Sequence, residues 1–103
     1  MNHIITAKLV KEVTSKDITG QTVMTKSYSD IIGKQSSVYE REFYKAEQAG
    51  LRAEGVIETS AFDYDGERLI LIDKREFSIY RTFLKGTDRI ELYYGERVGN
   101  GKQ

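Results

Sequence analysis

From Val56 onward, short runs of strand-forming residues alternate with turn residues at intervals of about ten, and this rhythm constrains the fold most. Val56 to Phe62 reads as a strand and Asp63-Tyr64-Asp65-Gly66 as a turn ending in the Asp-Gly signal. Arg68 to Ile72 carries the continuous run Leu69-Ile70-Leu71-Ile72, which suits a buried strand. Asp73-Lys74-Arg75 and Lys85-Gly86-Thr87-Asp88 then turn the chain. Between them, Phe77 to Leu84 places Phe77, Ile79 and Phe83 on one side and Tyr80 on the other. Arg89 to Tyr94 alternates Ile90, Leu92 and Tyr94 against Arg89, Glu91 and Tyr93. Such spacing points to a barrel or sandwich. Proline is absent, so nine glycines, with Asp, Asn and Ser, must make the turns.

The first half completes the set. Ile4 to Val13 and Gln21 to Tyr28 read as strands, joined by a turn over Asp17–Gly20. Ser29 to Ser37 is polar apart from Ile31-Ile32 and has no clear period, so it reads as loop. One helix is expected over Val38–Ala49. Ser37 fits the N-cap with Glu40 three residues on, and Gly50 fits the left-handed position after the last turn. Tyr39, Phe43 and Ala46 would line its buried face. The expected fold is all-β: a small antiparallel barrel of about six strands, one short helix and a long loop between early strands. It forms a single domain over residues 1–98, and residues 99–103 read as a flexible tail.

Chemistry is sparse. No cysteine is present, so thiolate metal sites and Cys nucleophiles are excluded, and a lone His3 cannot build a histidine cluster. Asp63, Asp65 and Glu67 alternate like part of a calcium loop, but the twelfth position holds Lys74 rather than the bidentate Glu, so they read as a solvated turn. No phosphate-binding glycine motif occurs, and no base stands in a motif relation to Ser60, Ser78 or Thr87. The expectation is a non-enzyme without cofactor or metal. The longest apolar run is far short of the roughly 20 residues that span a bilayer, so the chain reads as soluble, intracellular and without a membrane. Sixteen basic residues balance sixteen acidic ones, which argues against a dedicated nucleic-acid binder. One alternative keeps nucleic acid in view: Tyr80, Tyr93 and Tyr94 with Arg75, Arg81 and Arg89 could form a platform for single-stranded bases.

Several motifs stand together in order. Ser37 to Ala46, followed by Gly50-Leu51, resembles the pattern S-x-x-R-x-E-F-Y-x-A…G-L at Ser37, Glu42, Phe43, Tyr44 and Ala46, with Arg41 one place after the pattern's Arg. Tyr64, Gly66 and Glu67 fit Y-x-G-E, and Phe77–Phe83 with Tyr80 and Arg81 fits Y-x-I-x-R-T-Y/F. Asp88–Tyr93 with Glu91 and Tyr93 fits D-x-I-E-L-Y. Over roughly residues 35–95 the chain resembles the head–tail joining proteins of tailed phages and prophages, also called head-completion, head-closure or head–tail adaptor proteins. It departs from their pattern at Tyr39-Glu40, Arg52-Ala53 and Asp73-Lys74.

The resemblance implies a β-barrel that is monomeric in isolation and assembles as a homo-oligomeric ring of about twelve copies. Its implied partners are the portal and adaptor proteins above and tail proteins below. The ring encloses double-stranded DNA without sequence-specific binding and closes the channel after packaging. A virion location follows, with host cytoplasm during assembly. The stopper implied by position is the loop Ser27, Tyr28, Ser29, Asp30, Ile31, Ile32, Gly33, Lys34 and Gln35. Motif residues Arg41, Glu42, Phe43, Tyr44, Tyr64, Gly66, Glu67, Tyr80, Arg81, Glu91 and Tyr93 are the implied interface or family positions. A tail-side completion adaptor would share this logic with a different partner.

Overall fold

In a computed structural model that describes residues 3–97, six strands close into one antiparallel barrel in the order β1-β2-β3-β6-β5-β4. The strands are β1 (His3–Lys16), β2 (Thr22–Ser36), β3 (Leu51–Ser60), β4 (Leu69–Ile72), β5 (Arg75–Lys85) and β6 (Arg89–Arg97). A single helix, α1 (Glu40–Gln48), links β2 to β3, and a short 3-10 turn (Ala61–Asp63) follows β3. The all-β class, the strand number and the single short helix agree with the sequence pattern. The expected tail at 99–103 lies outside the described residues.

Six strands enclose a space that side chains alone can fill. One parity of each strand supplies them: Leu9 from β1, Ile31 from β2, Ile57 from β3, Ile70 from β4, Phe77 from β5 and Leu92 from β6. Tyr94 tilts against Phe77 with ring centroids 5.2 Å apart. The apolar run of β4 is explained by its two covered faces, with Ile70 and Ile72 in the core and Leu69 and Leu71 half-buried outside.

Both seams that hold the β1–β2 pair to the rest of the barrel are short. β1 meets β4 only over Lys8–Val10, and β2 meets β3 only over Lys34–Ser36. Gly33 stands beside the second seam. A Cβ there would fall 2.6 Å from the carbonyl oxygen of Glu58 and 2.7 Å from Cγ1 of Ile57, so only glycine permits the approach.

Three expectations are corrected. First, Ser27–Gln35 is not a loop: all nine residues belong to β2 and pair with β1 in an unbroken register. Ser27 to Asp30 lack a buried row because β1 and β2 run on past the barrel as a two-stranded arm, and from Ile31 the strand enters the barrel wall with only Ile31 and Gly33 turned inward before Gln35. Every residue from Glu12 to Asp30 is exposed, so neither face of the arm needs an apolar row. Second, Ser37 does not cap α1. Tyr39 holds the N-cap position without a side-chain cap bond, because the extended chain leaving β2 carries past Ser37. Third, the helix buries Glu42 and Ala46, while Tyr39 and Phe43 point to solvent at 74% and 51% exposure. Gly50 does take the left-handed conformation, at φ 76°.

A bulge between Ile79 and Arg81 explains one more difference. It reverses the side-chain parity of β5, so Phe83 faces outward, away from the side of Phe77 and Ile79. The β4–β5 turn carries positive φ at both central residues, Asp73 (51°) and Lys74 (67°). Lysine pays a steric penalty there that glycine does not. Lys74→Gly is expected to stabilise the fold by about 1 kcal/mol, raising Tm by about 4–8 °C. A lower Tm in thermal melts would contradict the turn geometry.

Candidate functional site

The described residues offer three surface features: a docked helix with outward aromatics, a projecting arm, and a groove where both meet the barrel.

Helix docking rests on one buried carboxylate. Glu42 is 1% exposed and accepts hydrogen bonds from the Tyr80 hydroxyl at 3.1 Å and from Arg81 Nε at 3.1 Å. Arg81 Nη2 donates to its second oxygen, which makes the pair bidentate. The Arg81 guanidinium also lies over the Tyr93 ring, 3.9 Å from its centroid, and Tyr93 donates to Glu91 at 2.9 Å. The parity switch in β5 is what turns Arg81 outward, opposite Tyr93, toward the helix. Arg81 and then Tyr80 hold the Glu42 carboxyl below the ordinary carboxylate range against the opposing effect of burial. Burial and the Glu42 charge push the Tyr80 phenol well above its ordinary value, so it remains a neutral donor.

Five of the motif residues therefore form one latch: Glu42, Tyr80, Arg81, Tyr93 and Glu91. Tyr64, Gly66 and Glu67 form a separate turn. The Tyr64 hydroxyl donates to the Glu67 carbonyl at 2.8 Å, and Glu67 Oε1 accepts from the Asp65 amide. Asp65 also pairs with Lys11 at the root of the arm. Asp65 and Glu67 are thus engaged in turn structure, with Glu67 buried rather than solvated, and among the described residues no group of three or more His, Cys, Asp or Glu lies placed to hold a metal ion.

With its inner face latched, α1 presents Tyr39, Phe43 and Tyr44 to solvent, and Arg41 lies over the Tyr39 ring at 5.8 Å. Helix α1 packs on β3 and is latched to β5. In the closed strand order β2 stands next to β3 and β1 two places from both β3 and β5; these two strands expose Ile32 and Ile4 respectively.

The arm ends in a built turn. Asp17 accepts from the Thr19 amide, the Thr19 hydroxyl and the Gln21 amide at 2.7–2.9 Å. These bonds, the Thr19 hydroxyl first, lower the Asp17 carboxyl below its usual range. They hold Ile18 fully in solvent at the tip.

The expected aromatic platform is not assembled as an open surface. Tyr94 lies in the core, Tyr93 lies under Arg81, and Tyr80 is bonded to Glu42. Arg75 pairs with Glu96 and Arg89 with Glu58. Sequence reasoning missed the latch because a glutamate on a short helix reads as solvent-facing. The available signal was its charge complement, Arg81, in a second motif.

No family model, curated protein or solved structure matches the chain. No helix among the described residues is long and apolar enough to cross a membrane.

Proposed function

We propose that the chain is a structural subunit of the head–tail connector of a tailed phage, acting without enzymatic chemistry. In this reading it assembles as a homo-oligomeric ring below the portal and adaptor and offers a docking surface to tail proteins. It works in the virion, after assembly in the host cytoplasm. The observation that carries the reading is the arm, a solvent-exposed ribbon whose ends are rooted in a small closed barrel. An isolated two-stranded ribbon gains little stability by projecting into water, so its use lies in reaching something else. The channel-closing part that the resemblance implies for Ser27–Gln35 passes to the arm and its tip at Ile18. Arms converging on the axis of a ring would narrow a channel, and a neutral chain would let double-stranded DNA pass without gripping phosphate.

Ring closure needs two different, complementary faces on each copy. The outward aromatics of α1 and the exposed isoleucines of β1 and β2 are apolar patches on different elements and supply such a pair. The test is to mix the protein with a portal–adaptor assembly and image it by electron microscopy. An added ring is the expected result, and its absence with cognate partners would overturn the proposal.

Two variants separate folding from assembly. Phe43→Ala is expected to leave the monomer's stability within about 0.5 kcal/mol, because an exposed side chain contributes little. The same change should weaken ring formation, since aromatic side chains often dominate interfaces. A drop in Tm of core-residue size would show the ring is buried instead. Excising Val13–Thr25 and joining Glu12 to Lys26 through Asn-Gly should keep the barrel folded, because Glu12 and Lys26 face each other in the ladder. Filled heads carrying this variant should leak DNA. Full retention would remove the arm from the closure role.

A further inference from the structure

Four of the seven arginines have carboxylate partners: Arg52, Arg75, Arg81 and Arg89. Arg41 stacks over Tyr39. The other two, Arg68 and Arg97, have no ion-pair partner among the described residues, and both line one groove of about 730 Å³. The groove lies where the root of the arm, the C-terminal end of α1 and the β4–β5 wall meet. Leu51, Leu69 and Ile79 give it apolar surface, Glu12 borders it from the arm, and Tyr80 of the latch also lines it.

We propose that this groove binds an extended acidic segment of a partner polypeptide, with its carboxylates on Arg68 and Arg97. Two guanidiniums are suited to bidentate capture of carboxylates. A free anion or nucleic acid fits the remaining walls less well. Glu12 leaves the charged lining at a net single positive charge, too little for a strand carrying a phosphate at every residue. The end of α1 at Ala49 and Gly50 is the negative end of its dipole, and it favours donors over anions. A peptide meets all of these demands together. Its side chains supply carboxylates, its amides supply donors for Glu12 and the helix end, and its alternate residues rest on the apolar surface. This inference does not depend on the connector role.

The test uses the full chain and a fluorescein-labelled octapeptide of four Glu-Thr repeats, followed by anisotropy. Saturable binding is expected, at least about tenfold tighter than to the matching Gln-Thr peptide. Arg68→Gln and Arg97→Gln should each weaken it about tenfold, and Glu12→Gln should tighten it. Both arginines are exposed, so these variants should fold, which circular dichroism checks. No binding of the acidic peptide, equal binding of both peptides, or indifference to both arginine changes would overturn the proposal. Stronger binding of an eight-nucleotide oligo-dT that both arginine changes weaken would also overturn it, by assigning the groove to nucleic acid.

Discussion

Arg81→Ala is expected to cost about 3–5 kcal/mol at neutral pH, because it leaves the Glu42 carboxylate buried without its cation. For a domain of this size that corresponds to a fall in Tm of roughly 15 °C or more. Glu42→Gln should be milder, at about 1–2 kcal/mol, since Arg81 remains partly hydrated when its partner is neutral. The pH dependence separates charge from packing. In the native chain, hydrogen bonds from Arg81 and Tyr80 place the folded pKa of Glu42 below its unfolded value. The resulting stabilisation is complete above the ordinary glutamate value of about 4.3. It is lost as pH falls through the lowered folded value. In Arg81→Ala, burial without a cation raises the folded pKa, so the variant loses stability as pH rises from about 4.3 toward that value. The gap between the two proteins should therefore widen from pH 4 to pH 7 in denaturant titrations. A gap that stays constant would mean Arg81 acts through its contact with the Tyr93 ring and not through charge.

Gly33→Val should cost about 3 kcal/mol, near the upper end of what overpacking usually removes. The backbone of Glu58 cannot swing aside without disturbing the β2–β3 seam, which has only the three pairs Lys34–Glu58, Gln35–Ile57 and Ser36–Val56. One further tie crosses it, from the Thr59 hydroxyl to the Ile32 carbonyl at 2.8 Å. The damage should be local before it is global. Hydrogen exchange should speed up first at these seam amides, while the β5–β6 ladder keeps its protection. Uniform loss of protection throughout the barrel would show the seam is not a separate weak point.

The parts of the fold legible in the sequence are those where one face of an element meets the core and the other meets water. β6 alternates cleanly, with Ile90, Leu92 and Tyr94 inside. The turns at Asp17–Gly20 and at Asp73-Lys74 stand where polar residues break an apolar pattern, with Gly20 and Asp73 suited to the positive φ they adopt. Gly50 marked the end of α1 for the same reason. Legibility failed where local pattern does not decide the outcome. β2 is held by its partner strand and is exposed on both faces as far as Asp30, and its buried face then shows only Ile31 and Gly33 before Gln35, too short a row to read as a strand. The rotation of α1 is set by a bidentate ion pair with a residue 39 positions away, which overrides the apolar stripe of Tyr39 and Phe43. Phe83 was misplaced because one bulge shifts every later residue of β5 to the other face. The groove was invisible for a related reason: Arg68 just before β4 and Arg97 at the end of β6 come to line one groove only when the barrel closes.

The unbroken register of β1 with β2, from His3–Gln35 to Lys16–Thr22, has a mechanical meaning. No bulge interrupts this ladder between the packed residues Ala7 and Leu9 and the tip. The ribbon therefore has no single bulge at which to hinge. A sideways push on Ile18 meets no bulge at which to hinge, so bending spreads along the ladder and what is transmitted reaches the two short seams that hold the β1–β2 pair in the barrel wall. Whatever the tip touches, its load is felt first at Lys8–Val10 and Lys34–Ser36, the places where the barrel would begin to open.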